Sequence, residues 1–276
     1  MNYYTKFSLI TATLGRVEEI EDLLISLTKQ SYKNFELIIV DQNTHRLIEN
    51  IVQKYDDLFP IIYIRSDRKG LSYNRNIGIT KATGDIIGFP DDDCTYSEHL
   101  LENVKICFDS KKSDFVLLSA VDPITNLNFI PSEQNVLNKK SILRKCISFN
   151  VFTVFKKDAR FDAQLGVGAY FGSGEETDYM WNVLNESSKG YFAENAEVYH
   201  PSNLSSKNTE RAYKYGLGFG ALFKKEFLRT KKYSVLFEFL IFLIRSFVAI
   251  FVTKNRLFYY KTLIGRFRGF LMYKPN

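Results

Sequence analysis

Ala82-Thr-Gly-Asp-Ile-Ile-Gly-Phe-Pro-Asp-Asp-Asp93 joins a short apolar run, Ile86 to Phe89, to three consecutive carboxylates across a single proline. The run is continuous rather than alternating, the mark of a strand covered on both faces, and such strands belong to parallel sheets flanked by helices. In open sheets of that kind, ligands gather beyond the carboxyl ends of the strands, which is where Asp91, Asp92 and Asp93 fall. The same alternation continues on the N-terminal side. Phe7 to Ala12 reads as the first strand, and Ile20, Leu23, Leu24 and Leu27 share one helical face. Leu37 to Val40 is the next strand, Leu47 to Tyr55 is spaced as a helix, and Ile61 to Ile64 is a third strand. A helix after Gly70 is predicted to start at Ser72 as its N-cap. Thr11 and Thr13 follow the first strand and Asp41 closes the second, so hydroxyls and carboxylates from three strands meet one edge. The expected class is α/β, with a mostly parallel sheet flanked by helices.

Residues 121–170 are interrupted by Asn, Pro and Ser and hold only weak strands such as Phe149 to Phe155. A second acidic cluster, Gly172-Ser-Gly-Glu-Glu-Thr-Asp178, then opens a helix through Tyr179, Trp181 and Leu184. Ala196 to Tyr199 reads as a strand ending at His200-Pro201. Arg211 and Lys214, further on, either clamp a phosphate or lie solvated.

With 276 residues, 45% hydrophobic and 25% charged, the chain can bury a substantial core, which excludes disorder, collagen and coiled coil. Cys94, Cys107 and Cys146 form no Cys-x-x-Cys pair, so a disulfide framework or a thiolate metal site is not expected. The apolar stretch from Phe7 lacks the flanks of an export signal. The net charge of +6 is localised: from Lys224 onward, 12 Lys and Arg face only Glu226 and Glu238, a local net of +10. The rest is slightly acidic, which gives nucleic-acid binding little electrostatic support. Neither Gly166-Val-Gly168 nor Gly216-Leu-Gly-Phe-Gly220 supplies a dinucleotide fingerprint, and no Walker-type Gly-Lys-Ser/Thr occurs.

Three adjacent carboxylates repel one another, so a divalent cation or solvent must compensate them, and oxygen ligands favour Mg²⁺ or Mn²⁺. Such an ion can neutralise a departing diphosphate while a separate carboxylate takes a proton from an attacking hydroxyl.

Phe7-Ser-Leu-Ile-Thr-Ala-Thr13, the Leu37 to Asp41 strand, Gly70-Leu-Ser-Tyr-Asn-Arg-Asn-Ile-Gly78, the Ala82 to Asp93 stretch and Gly174-Glu-Glu-Thr-Asp-Tyr179 together resemble the ordered motifs of family 2 glycosyltransferases with the GT-A fold. The resemblance covers roughly residues 5–205. It implies that Thr11 and Asp41 hold the base and ribose of a nucleoside diphosphate sugar, that Asp91 approaches the ribose, and that Thr13, Arg75 and Asp92 also lie at the nucleotide sugar. Asp93 would bind Mn²⁺ or Mg²⁺, with His200 similar in placement to a second metal ligand. Glu176 stands where the family's catalytic base stands, but the family usually has aspartate there, so Glu175 and Asp178 are rival candidates. The implied reaction is an inverting displacement onto a saccharide acceptor, in the manner of enzymes that build bacterial surface polysaccharides on lipid carriers. A catalytically silent, nucleotide-binding scaffold at the membrane is the alternative.

The chain is accordingly divided into a GT-A domain over residues 1–222 and a basic, apolar helical region over 223–276. Val235 to Val252 contains Glu238 and Arg245, and as a helix it is marginal for crossing a bilayer. A peripheral helix in the interface at the cytoplasmic face of the membrane is expected, with packing on the domain or a dimer interface as the alternatives.

Overall fold

The computed structural model describes residues 5–202 and 208–275, and these form two compact units. The first holds the residues up to Lys69, with Asn74–Arg160 and Asn182–Ser202. The second holds Gly70–Tyr73, Phe161–Trp181 and the described residues from 208 onward.

In the first unit the apolar runs become strands of one sheet. These are β1 (Phe7–Thr13), β2 (Phe35–Asp41), β3 (Ile61–Arg65), β4 (Ile86–Gly88), β5 (Thr95–Tyr96), β6 (Phe115–Val121), β7 (Asn128–Ile130), β8 (Val151–Val154) and β9 (Gly190–Tyr199). Among the described residues the order is β3-β2-β1-β4-β8-β6-β9-β5, with β7 beside β6. β3, β2, β1 and β4 run parallel, as their continuous apolar runs predicted, and β1 and β2 are buried along their whole length. β8 lies antiparallel between β4 and β6, so the sheet as a whole is mixed. β8 was only faintly visible in the sequence, because its neighbours are distant in the chain.

Helix α1 (Glu18–Thr28) buries Ile20, Leu23, Leu24 and Leu27, the face its periodicity marked. The Leu47 to Tyr55 segment shortens to α2 (Glu49–Val52). Helix α3 (Leu71–Ile79) begins one residue before Ser72, whose hydroxyl donates to Leu165 O at 2.6 Å instead of capping the helix. Later in α3, Gly78 allows close approach to β1: a Cβ there would come within 2.4 Å of Ile10 Cγ2. Helices α4 (Leu100–Lys111) and α5 (Lys139–Lys145) complete this unit.

The amino end of the parallel strands is tied by a buried polar knot. Glu36 accepts from Lys6 Nζ at 2.6 Å, Ser8 Oγ at 2.6 Å and Thr83 N at 2.7 Å. Burial works to raise the Glu36 carboxyl, but these donors outweigh it and hold it below the usual carboxylate range.

The second unit contains α6 (Glu175–Val183, whose last two residues count with the first unit), α7 (Thr209–Thr230), α8 (Tyr233–Val252) and α9 (Arg256–Met272). Helices α7 and α9 meet backbone to backbone through Gly-x-x-x-Gly pairs, Gly216 with Gly220 and Gly265 with Gly269. A Cβ on Gly220 or Gly269 would fall 2.0 Å from the carbonyl oxygen of Arg266 or Leu217 respectively. Arg266 pins α8 to the same seam. Its Nη1 donates to Phe242 O at 2.8 Å and Ser246 Oγ at 2.6 Å, and its guanidinium lies 4.4 Å from the Phe219 ring centroid. Burial draws its pKa down to about 10.

Replacing Glu36 by Gln keeps the shape of the knot and removes its charge, with an expected loss of ~1–3 kcal/mol at neutral pH in a denaturant titration. Because the folded carboxyl sits below its ordinary value of 4.5, the stabilisation is present above that pH and fades as the pH falls through the lowered folded value. The gap between wild type and Glu36→Gln should therefore narrow in acid.

Candidate active site

The carboxyl edge of β1, β2 and β4 is assembled by cross-strand ties. Thr11 Oγ1 donates to Pro90 O at 3.1 Å, fixing the turn into Asp91, and Gln42 N donates to Thr13 O at 3.0 Å. Asp41 accepts from Asn43 N and Asn43 Nδ2, both at 2.8 Å, and from Tyr63 OH at 2.6 Å. Burial, and then the Asp41 carboxylate, push the Tyr63 phenol upward. Asn43 in turn accepts from Gly15 N at 2.7 Å, where the backbone turns through φ +75°. Thr11, Thr13 and Asp41 have no exposed surface, so in this structure they shape the edge and present no open face to a ligand.

The aspartate run is partitioned among different partners. Asp91 Oδ1 accepts from Arg75 Nη2 at 2.6 Å and from Ser148 Oγ at 3.3 Å. Arg75 is 1% exposed and lies over the Phe89 ring, which makes it a buried anchor for Asp91. Asp92 points toward Arg16, with Nε 3.9 Å away, and burial pushes its carboxyl up to about 6, with Thr13 and Arg16 opposing. Asp93 is held from two sides, by Arg16 Nη1 at 2.8 Å and His200 Nε2 at 3.1 Å. Burial favours its protonated form, but His200 and Arg16 prevail and its carboxyl lies below the usual range. For His200, burial favours the neutral ring, and the hydrogen bond and charge of Asp93 overcome it and raise the pKa.

His200 is well seated. Its ring stacks on Phe149 at 4.2 Å, its backbone N donates to Val121 O at 3.0 Å, and its Nε2 is 4.0 Å from Asp91 Oδ2. Asp122 secures the following segment, accepting from Ser202 N at 2.7 Å and from Ile124 N and Thr125 N at 2.9 Å. These bonds, led by those from Ser202, hold the Asp122 carboxyl well below its ordinary value.

Asp93, Cys94 and His200 each offer a ligand atom within 4.8 Å of the others. Cys94 is fully buried and burial drives its thiol upward, which leaves a carboxylate and an imidazole as the usable donors. That set suits Mn²⁺, and with Asp91 adjacent it accommodates an oxygen-preferring ion such as Mg²⁺. Arg16, now bonded to Asp93, is the group a cation would share with or displace, and its side chain is 39% exposed.

The remaining acidic candidates belong to the second unit. Asp178 is 1% exposed and paired with Lys225 Nζ at 2.7 Å and Arg229 Nη1 at 3.4 Å; Lys225 also bonds Asp162 at 2.8 Å. Burial raises the Asp178 carboxyl against those cations. Glu175 is buried, its Oε2 has no hydrogen-bond partner among the described residues, and its carboxyl packs against Gly166. Glu176 is half-buried on the first turn of α6.

Sequence reasoning thus located Asp91, Asp92, Asp93, Arg75 and His200, which meet in space. It missed Arg16 as their counterion, together with the Phe149 platform, Ser148 and Asp122. A lone arginine after Gly15 carries no local signal, and Phe149 and Asp122 lie in the stretch whose pattern was unreadable.

The model of glycosyl transferase family 2 matches residues 8–163, and the chain belongs to that family. An uncharacterized glycosyltransferase of Haemophilus influenzae is 29% identical over 188 residues, 66% of this chain, and the chain spans 63% of that relative's length. The GalNAc(5)-diNAcBac-PP-undecaprenol beta-1,3-glucosyltransferase of Campylobacter jejuni is 24% identical over 232 residues, covering 79% of this chain and 73% of its own. Among solved structures, the mannosyltransferase PcManGT of Pyrobaculum calidifontis, in complex with GDP-Man and Mn²⁺, superposes with a TM-score of 0.62 at 13% identity, covering 96% of this chain and 87% of its own. That likeness shows the fold, which is GT-A.

Breaking a buried pair leaves an uncompensated charge. Asp91→Asn and Arg75→Met should each destabilise the protein by ~2–4 kcal/mol in urea titrations, and the double variant should lose clearly less than the two effects added.

Proposed function

We propose that this family 2 glycosyltransferase moves a sugar, with inversion, from a nucleoside diphosphate sugar to a saccharide acceptor carried on a lipid, in surface polysaccharide synthesis. The observation that carries the reading is the convergence of Asp91, Asp93, His200 and Arg16 at the carboxyl edge of β1 and β4 in a chain of this family. Asp93 and His200 would hold Mn²⁺ or Mg²⁺, which when bound supplies electrostatic neutralisation of a diphosphate. PcManGT, which shares the fold and was solved with GDP-Man and Mn²⁺, supports this assignment. Thr11, Thr13 and Asp41 order the loops around the nucleotide, and Arg75 keeps Asp91 turned into the cluster.

We assign the base role to Glu176, which stands at the base position of the family motif. Its rivals are Asp178, paired with Lys225 and Arg229, and Glu175, buried beneath Gly166. Glu176 takes the acceptor hydroxyl proton while that oxygen bonds the anomeric carbon. The bond from that carbon to the diphosphate oxygen breaks with its electron pair, and one displacement inverts the centre. No enzyme nucleophile is required.

Lipid attachment of the acceptor is supported by the C. jejuni relative, whose name places its acceptor on undecaprenol diphosphate. It is also supported by α8, 20 residues long and apolar, of which 11% of the most apolar window is buried. Phe237, Leu240, Ile244, Phe247 and Phe251 form its exposed face, and Lys254, Arg256, Lys261 and Arg268 follow. We place this face in the interface of the cytoplasmic leaflet, where basic residues meet anionic lipid.

Donor turnover, read as released nucleoside diphosphate, should stop in chelator and return with Mn²⁺ or Mg²⁺. It should fall by ~10²–10⁴ in Glu176→Gln, and by a similar order in Asp93→Asn. Wild-type rates in both variants would remove the role assignments. Phe247→Asp combined with Phe251→Asp should shift the protein from anionic vesicles into the supernatant in a flotation assay.

A further inference from the structure

The second unit contains a pocket of about 630 Å³ that the proposed chemistry leaves unused. One wall is the segment Val167, Gly168, Ala169 and Gly172; the other is the start of α7, with Asn208, Glu210, Arg211, Lys214 and Tyr215. The first wall carries no side chain at Gly168 and Gly172. It turns through φ +102° at Gly166 and +83° at Gly168, conformations that L side chains rarely adopt.

The second wall presents cations one helical turn apart. Arg211 is held in place, with its guanidinium carbon 4.8 Å from the centroid of the Tyr215 ring and its Nη2 donating to Tyr215 OH at 2.7 Å. Tyr215 is fastened in turn, its carbonyl accepting from Ser173 Oγ at 3.0 Å. Lys214 lies over Gly172, where an added Cβ would come 3.2 Å from Lys214 Cβ. Glu210 is the opposing charge, 3.7 Å from Lys214, and at 79% side-chain exposure it is solvated. Arginine fixed on an aromatic face beside a lysine suits the oxygens of a phosphate better than a neutral sugar, which would need neither charge.

The pocket also borders the apolar helices. Tyr170, which follows Ala169 of the first wall in the chain, donates to Met272 Sδ at 3.7 Å, and Leu271 and Met272 are exposed at the end of α9. Tyr213, on the same turn of α7, accepts from Arg268 at 3.2 Å. A cationic recess thus adjoins unburied apolar side chains, the arrangement that a phosphate headgroup with a hydrocarbon tail requires.

We propose that this pocket binds the diphosphate of the lipid-carried acceptor, through Arg211 and Lys214. This rests on the acceptor reading above. The test measures partition of the full chain, in chelator, onto phosphatidylcholine vesicles that are plain, doped with polyprenyl diphosphate, or doped with phosphatidylglycerol to equal charge. Wild type should prefer the diphosphate vesicles. Arg211→Gln with Lys214→Gln should lose that preference by about tenfold. Ala169→Trp, which fills the pocket and keeps both charges, should lose it too. Absence of any wild-type preference, or equal losses on both anionic vesicles, would overturn the pocket. Inorganic pyrophosphate that binds as tightly as the lipid form would reassign it to free phosphate and overturn the lipid source. Nucleotide-sugar turnover with a saccharide on polyprenyl diphosphate is scored separately: its absence across a panel of donor sugars, alongside intact vesicle preference, defeats the transfer reading and leaves the pocket standing.

Discussion

Mutual repulsion among three consecutive carboxylates is the constraint around which the site is organised. Asp91, Asp92 and Asp93 leave β4 through one proline, and each meets different surroundings: a buried arginine for Asp91, burial that raises the carboxyl beside Arg16 for Asp92, and an arginine together with a histidine for Asp93. The first unit supplies these partners from widely separated segments. Arg16 follows β1, Arg75 comes from α3, and His200 follows β9. Separating the three charges in this way keeps one aspartate anchored and another available to a cation. Asp93 combines a hydrogen-bonded imidazole with a partner, Arg16, that is exposed enough to yield.

Polar burial at the two ends of the parallel strands serves different ends. At the amino end, Glu36 is saturated by Lys6, Ser8 and Thr83, so its charge contributes to folding. At the carboxyl end, burial raises Asp92, so its charge is held at a cost to stability at neutral pH, whereas Asp93 and His200 stabilise each other's charged forms. That division is the one expected where a scaffold supports a reactive edge.

The second unit follows another logic. Its helices approach through glycine, α7 on α9, and Arg266 is drawn into the seam by a backbone carbonyl, a hydroxyl and two aromatic faces. Helix α8 packs Phe239 and Phe242 against Phe223, while Phe237, Leu240, Ile244, Phe247 and Phe251 face outward.

Periodicity alone determined the class of fold, because strands buried on both faces must be continuously apolar and their helices must repeat every three or four residues; β1, α1 and β2 were legible for that reason. Asp91 to Asp93 were legible because adjacent like charges after an apolar run have few structural uses. Tertiary structure alone decided that β8 inserts antiparallel, that Ser72 bonds a distant carbonyl, that Asp41 is fully enclosed and that Arg16 faces Asp93. It also paired Asp178 with Lys225 and Arg229. Local sequence records what each segment prefers to bury, whereas a partner for a charge is chosen by whichever distant segment the sheet order brings beside it.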